Sequence, residues 1–469
     1  MSSARINTLY LASPVWAQQA MVAGYGWWWR RRRLGAEFRA LTGELRQHEQ
    51  WDAHQFHDYQ TRQLADVLRA ARRSRYYGPL LAGAGDASAS PWDLLRRMPM
   101  LSKELLRTRA ADLLTEALPK DALVFKSSGS TGTPTEIYYT RAFHALETAV
   151  IEARNLNWGN ATYTDRRVMF GARKVCRFDQ ARPPFWRFSP AENLAYASLY
   201  HLAPRYLPAY VRFLRRFKPV VVMGFPSALH AVAEHVLACG EELPAARGVF
   251  TSGERLQPHM REAIERVWQC RVFDRYGAVE GCVSASQCAH GRYHLNPEVG
   301  VVELLDAGGS PVPPGEAGEV VCTGLGNLLQ PLIRYRIGDY ARWARDQQCP
   351  CGRMTPILEG IDGRVEECCY TTDGRRIVRF DPVFKGVANV RQAQITQESL
   401  GRFTITIVPA PSFCESDAEQ LRANMQLHVG QAAVQVRRVD AIARTASGKF
   451  PAVVCRLSPS DKAMSEKAS

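Results

Sequence analysis

The chain has 469 residues, which is too many for one ordinary hydrophobic core, so two or more domains are expected. Hydrophobic residues make up 46% and charged residues 23%, which is typical of a soluble globular protein and excludes a fibrous or disordered one. The formal net charge is +14, but its basic residues follow neither zinc-finger spacing nor an aromatic-interleaved basic motif. We therefore expect no nucleic-acid partner.

The first element in chain order is an uncharged N-terminal segment. No residue in 6–29 is charged, and Trp27, Trp28 and Trp29 run directly into four arginines at residues 30–33. Aromatic residues followed by positive charge are typical of a membrane edge. However, Pro14 and the nearby Gln, Gly and Ser residues dilute the apolar content, and no signal-peptide pattern is present. We expect this segment to pack on the protein, with peripheral membrane contact as the less favoured alternative.

Helices and short strands then alternate along the chain. Helical periodicity marks residues 58–81 and 101–114. Short apolar runs at 220–223, 248–251 and 271–274 alternate with helical patterns that end near residue 239 and span 258–268. Strands alternating with helices predict an α/β fold with a parallel sheet, in which ligands bind at the carboxyl ends of the strands.

The pattern changes near residue 363. A turn at 372–374 is followed by an alternating strand at 403–408, a polar helix at 415–429 and a second strand at 434–439. These elements form a small α+β unit. We therefore predict a large N-terminal domain, residues 1–362, and a small C-terminal domain, residues 363–469.

Residues 126–136 read K-S-S-G-S-T-G-T-P-T-E. Glycines allow the backbone to approach an anion closely, and hydroxyl and N–H groups donate to phosphate oxygens. The segment is not a P-loop of the GxxxxGK[ST] kind, because no Lys follows its second Gly. On its own it fits either a flexible turn or a polyphosphate-binding loop. The candidate phosphate-binding residues are Ser127, Ser128, Gly129, Ser130, Thr131, Gly132 and Thr133.

This loop and four later blocks, in the same order, resemble the adenylate-forming (ANL) superfamily. The blocks are Tyr-Gly-Ala-Val-Glu at 276–280, Tyr-Arg-Ile-Gly-Asp at 335–339, Gly-Arg-Val-Glu-Glu at 363–367 and Arg-Thr-Ala-Ser-Gly-Lys at 444–449. Each block alone is a common turn or surface loop. Five blocks in the family's order argue against coincidence, and they imply that the Ser/Thr/Gly loop binds the phosphates of ATP.

The resemblance implies the nucleotide contacts of the large domain. Tyr276 and Gly277 would lie near adenine, and Glu280 would act in catalysis by holding Mg²⁺. Asp339 would accept the ribose hydroxyl groups, with Arg336 in the same nucleotide-binding block.

The resemblance also implies a mobile C-terminal domain that completes the site. Arg364 would contact the nucleotide, Glu366 would be the hinge, and Lys449 would be the catalytic cation. A carboxylate that attacks the α-phosphorus must overcome charge repulsion, so Mg²⁺, the loop donors and Lys449 would neutralise charge as pyrophosphate leaves.

Within the superfamily the chain most resembles phenylacetate-CoA ligase and its relatives, including capsular-polysaccharide-type members. The signs are Thr135, Gly-Phe-Pro-Ser at 224–227 and Thr-Ser-Gly-Glu at 251–254, where Gly253 and Glu254 would lie beside adenine. This branch implies ATP-dependent adenylation of a carboxylic acid, aromatic in kind, followed by acyl transfer to coenzyme A. Transfer to an amine, and a non-catalytic nucleotide-binding relative, are the alternatives. The protein would be a monomer or a homodimer.

Four residues form a candidate zinc site that this branch also suggests. Cys288, His294, Cys349 and Cys351 would supply three thiolates and one imidazole, a closed tetrahedral set suited to structural zinc. The Cys-x-Cys spacing is tighter than the usual Cys-x-x-Cys, His290 is an alternative ligand, and buried free cysteines are the competing interpretation. Twelve cysteines in a long chain without a secretion signal favour a reducing compartment, and we expect a cytoplasmic location.

Overall fold

The computed structural model describes most of the chain. The described residues are 3–83, 89–126, 135–171, 173–202, 205–254, 256, 258–306, 308–361, 369–373, 375–377, 380–387, 389–440, 442, 453–458 and 460–461. The predicted phosphate loop at 127–134 lies outside them, as do residues 362–368 and 443–452.

Helices dominate the N-terminal part of the chain. They are α1 Ser3–Ala12, α2 Val15–Arg33, α3 Ala36–Gln47, α4 Ala53–Ala71, α5 Tyr77–Gly83, α6 Pro91–Arg97 and α7 Lys103–Thr108. The helical periodicity predicted over 58–81 is divided between two helices, because α4 ends at Ala71 and α5 begins at Tyr77. The Ser74 hydroxyl group accepts a hydrogen bond from the backbone N–H of Tyr77 at 2.9 Å and so caps a separate helix.

The large sheet is mixed. Its strands are β3 Arg167–Gly171, β4 Trp186–Ser189, β5 Leu194–Ser198, β6 Val221–Gly224, β7 Gly248–Ser252, β8 Val272–Gly277, β9 Ser284–Gln287, β10 Tyr293–Leu295, β11 Gly300–Leu305, β12 Ala317–Gly324, β13 Tyr335–Trp343 and β14 Ile357–Ile361. Among the described residues the order is β11-β12-β13-β14-β10-β9-β8-β7-β6-β3-β5-β4. Strands β8, β7, β6, β3 and β5 are parallel, and the other pairings are antiparallel. The predicted α/β fold with a parallel sheet is confirmed, but the sequence did not predict the antiparallel half.

Helices cover both faces of the parallel strands. They are α8 Arg141–Val150, which continues into a π-helical turn Ile151–Leu156, α9 Leu207–Phe217, α10 Pro226–Ala238 and α11 Pro258–Trp268. Val222 and Val249 belong to the core beneath α9, α10 and α11, whereas Val221 and Phe250 belong to the core beneath α3 and α8. Successive strand residues point to opposite faces, so an uninterrupted apolar run is buried on both sides.

Three smaller sheets and several 3₁₀ turns complete the described structure. The hairpin β1 Leu123–Lys126 and β2 Glu136–Tyr139 holds the ends of the undescribed 127–134 loop. The C-terminal elements are β15 Cys369–Tyr370, β16 Arg376–Ile377, β17 Val390–Ser399, β18 Arg402–Pro409, α12 Glu415–Val429, β19 Ala433–Arg438 and β20 Val453–Cys455. The 3₁₀ turns are His48–Gln50, Ala110–Leu113, Asn157–Gly159, Pro190–Glu192, Leu199–His201 and Asp381–Phe384.

The C-terminal unit is a small α+β structure. Its main sheet has the order β19-β18-β17-β20, and α12 buries Leu421 and Met425 against it. The predicted smaller C-terminal domain is confirmed as a fold. Its boundary at residues 362 and 363 falls outside the described residues and stays a prediction.

Candidate active site

Three of the predicted motifs follow neighbouring parallel strands. Strands β6, β7 and β8 end at Gly224, Ser252 and Gly277. The register pairs Gly224 with Thr251 and Ser252 with Arg275, so the three carboxyl ends lie side by side. The segments 224–227, 251–254 and 276–280 therefore emerge at one edge of the sheet, where ligands bind in folds of this class.

Two hydrogen bonds join the block at 276–280 to strand β13. The hydroxyl group of Tyr276 donates to Oδ2 of Asp339 at 2.9 Å, and that of Tyr335 donates to Oε1 of Glu280 at 3.3 Å. Glu280 is buried and Asp339 is half-buried. Burial, reinforced by the negative charge of Asp339, raises the pKa of Tyr276 well above its ordinary value, so the phenol stays a donor. Two blocks that are far apart in the sequence are thus held side by side, and we call the region at this strand edge the crevice.

The hairpin that carries the Ser/Thr/Gly loop packs against the same block. The hydroxyl group of Tyr139 on β2 donates to the carbonyl oxygen of Val279 at 2.8 Å. Gly281 has a φ of +63°, and a Cβ atom there would lie 2.4 Å from the Phe143 ring. Only glycine permits this backbone conformation together with such a close approach.

A salt bridge closes the stem of that hairpin. Nζ of Lys126 lies 3.0 Å from Oε1 of Glu136, directly opposite in the strand register. Lys126 and Glu136 therefore hold together the described residues on either side of the 127–134 segment. The positions of its seven candidate phosphate-binding residues lie outside the described structure.

The segment 251–254 is shaped by one glycine and one carboxylate. Gly253 has a φ of +83°, and a Cβ atom there would lie 2.6 Å from the ring of Phe225. Oε2 of Glu254 accepts a hydrogen bond from the backbone N–H of Ser227 at 3.2 Å. These contacts hold the turns after β6 and β7 against each other.

Asp274 is a buried carboxylate that the sequence analysis did not single out. It accepts hydrogen bonds from Thr251 and Tyr293, both at 2.5 Å. Burial raises the pKa of Asp274, although both hydroxyl groups oppose that effect. Asp274 ties β8 to β7 and β10 beneath the crevice, and its place near the end of a predicted strand was the signal that could have found it.

Among the described residues, Arg336 is a predicted site residue that points away from this cluster. Arg336 forms an exposed, two-pronged ion pair with Glu319 on β12, with Nε 3.0 Å from Oε1. Its nucleotide contact stays a prediction, and Gly277 is exposed at the end of β8. Arg364, Glu366 and Lys449 lie outside the described residues.

The four candidate zinc ligands lie together. Sγ of Cys288 is 3.7 Å from Sγ of Cys349, Sγ of Cys351 is 3.3 Å from Nε2 of His294, and all four ligand atoms lie within 4.8 Å of one another. Tetrahedral zinc, with bonds of about 2.0–2.3 Å, places its ligand atoms about 3.3–3.8 Å apart. The donor set and its spacing therefore fit this metal. His290, the alternative ligand, is exposed and outside the group.

Neighbouring groups orient the histidine and the cysteine loop. Nδ1 of His294 lies 3.2 Å from the hydroxyl oxygen of Thr355, as expected for a partner that fixes a ligand's ring. Burial, together with the positive charges of Arg353 and Arg292, lowers the pKa of His294 to about 4, so the imidazole is neutral at ordinary pH. Arg353 is anchored by Glu49 at 2.9 Å, which ties the cysteine loop to the N-terminal helices.

Comparison with known proteins gives matches across both parts of the chain. A family model described as AMP-binding enzyme matches residues 96–329, and one described as CapK C-terminal domain matches residues 369–456. Protein CapK of Staphylococcus aureus is 24% identical over 344 residues, which cover 71% of this chain and 72% of that protein. Phenylacetate-coenzyme A ligase of Escherichia coli (strain K12) is 29% identical over 265 residues, which cover 53% of this chain and 57% of that ligase.

A solved structure of 2-hydroxyisobutyryl-CoA ligase, in complex with 2-HIB-AMP and CoA, has a similar fold. The TM-score is 0.57 at 22% sequence identity, over 87% of this chain and 91% of that one. At this identity the likeness shows the fold alone.

Fold, motif order and matched models define the class as adenylate-forming ligases, which contain an AMP-binding domain and a smaller C-terminal domain. The two matched models lie in the chain order that this class requires. The chain belongs to the adenylate-forming superfamily, in the branch that contains the phenylacetate-CoA ligases and the CapK relatives.

Proposed function

We propose that the protein joins a carboxylic acid to a thiol in two steps at one site. A carboxylate oxygen of the acid attacks the α-phosphorus of ATP, and pyrophosphate leaves. The thiol sulfur of coenzyme A then attacks the acyl carbonyl carbon, and AMP leaves with the electron pair of the broken C–O bond. The observation that carries this proposal is the pair of hydrogen bonds by which Tyr276 and Tyr335 hold Asp339 and Glu280 at the carboxyl edge of the parallel strands.

Each carboxylate in the crevice has a distinct role in the proposal. Asp339 accepts the ribose hydroxyl groups, because an ionised carboxylate makes strong charge-assisted hydrogen bonds. Glu280 would hold Mg²⁺, for which carboxylate oxygens are suitable ligands, and Tyr335 donates a hydrogen bond to one oxygen of that carboxylate. Bound there, Mg²⁺ would supply positive charge to the phosphate oxygens.

The other charges come from segments on either side of the crevice. The loop at 127–133 donates N–H and hydroxyl groups to the phosphates from a hairpin whose stem contacts the backbone beside Glu280. Lys449 and Arg364 approach from the C-terminal domain, which turns at Glu366 between the two steps. A compact ammonium group such as that of Lys449 suits a cation that enters and leaves a site.

The acid in this proposal is aromatic and the acceptor is coenzyme A. Both assignments rest on the relatives named phenylacetate-coenzyme A ligase, which are 26–29% identical to this chain. Transfer to an amine, which would give an amide, shares the first step and differs only in the second. The two outcomes are separated by the same experiment.

The proposal is tested by screening aromatic and aliphatic acids for pyrophosphate release from ATP, with coenzyme A, with a set of amines, or with neither acceptor. We expect an aromatic acid to give pyrophosphate, and coenzyme A to convert the adenylate into a thioester seen by mass spectrometry. If pyrophosphate is released and an amide forms but no thioester, the protein is instead an amide-forming ligase. The absence of acid-dependent pyrophosphate release across the whole panel would contradict the adenylation step.

We also propose that Cys288, His294, Cys349 and Cys351 hold one structural zinc ion. The site joins the β9–β10 turn to the loop before β14 and supplies no open coordination position. Elemental analysis is expected to give about one zinc per chain. Replacing Cys349 with Ser should remove the zinc and lower the thermal midpoint, while Cys414→Ser, at an exposed cysteine, should change neither. A stable, zinc-free wild-type preparation would contradict the site.

A further inference from the structure

Helix α2 lies on the protein with the side chains of its two glutamines turned inward. Oε1 of Gln18 accepts a hydrogen bond from Nε of Arg187 at 3.0 Å, and Oε1 of Gln19 accepts one from the backbone N–H of Phe188 at 3.0 Å. Trp29 and Gly26 are also buried on this side. The two glutamines of α2 therefore anchor the helix to β4.

The opposite side of α2 is exposed and uncharged along most of its length. Positions 16, 20, 24, 27 and 31 follow helical spacing, are exposed and so form one face. Trp16 is 75% exposed and Trp27 is 56% exposed, and Met21 and Trp28 flank them. We call this face the α2 outer face. Several large apolar side chains are exposed together on this face, whereas the exposed apolar residues of a monomeric protein are usually scattered singly.

Positive charge is concentrated at the C-terminal end of the α2 outer face. An open cavity of about 940 Å³ lies there. Among the described residues its charged lining consists of Asp121 and five arginines, Arg30, Arg31, Arg32, Arg39 and Arg141. Burial, with a smaller contribution from the charges of Arg33 and Arg32, lowers the pKa of the neighbouring His144 to about 3. Arg31 and Arg32 also lie over the rings of Trp27 and Trp28.

Among the described helices, none combines the length and the apolar content needed to cross a bilayer. A helix that cannot cross can still lie in the interface, with apolar residues at the headgroup boundary and basic residues at the phosphates. We propose that the α2 outer face docks the protein on the surface of an anionic lipid bilayer. Trp16, Met21 and Trp27 enter the headgroup boundary, and Arg30 and Arg31 pair with lipid phosphates.

Charge and side-chain chemistry favour a bilayer over other partners. A second copy of this chain would bring two arginine clusters together in a protein of net charge +14. Nucleic acid would satisfy the arginines but would leave Trp16 and Met21 without an apolar environment. An anionic bilayer provides both the phosphates and the apolar boundary.

Docking through this face leaves the proposed nucleotide crevice uncovered. Asp121 and Arg141 of the arginine cavity lie just outside the open ends of β1 and β2, whereas the 127–134 loop joins their other ends. The bilayer and the nucleotide would therefore contact opposite ends of the same hairpin. The inference does not depend on the proposed reaction.

The test is co-sedimentation of the full chain with vesicles of phosphatidylcholine alone or mixed with phosphatidylglycerol. We expect binding to the anionic vesicles only, weakened by salt, with a blue shift of tryptophan fluorescence. Removing both charges with Arg30→Gln and Arg31→Gln should weaken binding about 25-fold, since one basic residue near an anionic surface contributes about a fivefold effect. The pair Trp16→Ser and Trp27→Ser should weaken it by at least about tenfold.

Matched controls replace equally exposed residues elsewhere. Leu427→Ser on α12 and Arg69→Gln on α4 should bind vesicles like the wild type, and thermal unfolding checks that every variant is folded. The inference would be overturned if the protein did not bind anionic vesicles, or if the control variants lost as much vesicle binding as the α2 variants. It would also be overturned if the protein self-associated without binding vesicles and the Trp16→Ser and Trp27→Ser pair abolished that self-association. Salt-sensitive binding to DNA without vesicle binding would also overturn it.

Discussion

Replacing Asp339 with Asn removes the negative charge of this side chain but keeps its shape. The hydroxyl group of Tyr276 donates to Oδ2 of Asp339 at 2.9 Å, and the amide oxygen of Asn can accept the same bond. We therefore expect the free energy of unfolding to change by less than about 1 kcal/mol. The predicted contact with the ribose hydroxyl groups loses its charged acceptor, because the second oxygen becomes an amide that only donates.

The magnitude follows from the strength of charge-assisted hydrogen bonds. Such a bond contributes about 1.5–3 kcal/mol, which corresponds to a loss of about 10- to 150-fold in kcat/KM for ATP. The assay is acid-dependent ATP–pyrophosphate exchange at varied ATP concentration. Glu359→Gln, at an exposed carboxylate on the neighbouring strand β14, is the control and should exchange like the wild type. A folded Asp339→Asn variant with unchanged kcat/KM for ATP would refute the ribose contact.

Three further predictions concern other parts of the chain. Lys449→Ala should leave the thermal midpoint unchanged and slow the exchange reaction by about 100-fold or more, and unchanged exchange would contradict its catalytic role. Gly253→Ala should lower the free energy of unfolding in urea by about 1–3 kcal/mol, because of its positive φ and the adjacent aromatic ring, whereas Gly43→Ala in the open interior of α3 should raise it. Burial alone would raise the pKa of Glu298, but Arg154 and His48 lower it below its ordinary value. The ionised Glu298 therefore stabilises the fold above about pH 4.3, and this contribution is lost as the pH falls through the pKa of the folded state. In urea titrations the free energy of unfolding of Glu298→Gln should depend less on pH in that range than that of the wild type. Equal pH dependence in the two proteins would contradict this prediction.

The sequence predicted the parallel strands because their signals are local. A short apolar run followed by glycine or proline and then a helical pattern identifies β6 and β7 without knowledge of any partner. The antiparallel half gave no comparable signal. In β12 most residues are buried, so the alternation of polar and apolar residues that marks a half-exposed strand is weak.

The contacts within the site depend on pairings that the sequence does not display. Motif order predicted that Glu280 and Asp339 belong together, but not that Tyr335 would hold Glu280 across 55 residues. Likewise, the ion pair of Arg336 with Glu319 follows from the register of β12 and β13, which is set by distant contacts.

Which side of helix α2 is exposed could not be predicted from the sequence either. The uncharged stretch was visible in the sequence, but α2 is apolar on most sides, so its periodicity did not reveal which side is covered. Only the packing of Gln18 and Trp29 on the large domain shows that Trp16 and Trp27 point outward.

The most direct test of the nucleotide site is a crystal structure with a non-hydrolysable acyl-adenylate analogue and Mg²⁺. The account predicts ribose hydroxyl groups within hydrogen-bond distance of Asp339, adenine beside Tyr276 and the 251–254 turn, and the phosphate mimic facing the 127–133 loop. An analogue bound away from this crevice, for example in the cavity lined by Arg30 and Arg141, would contradict it.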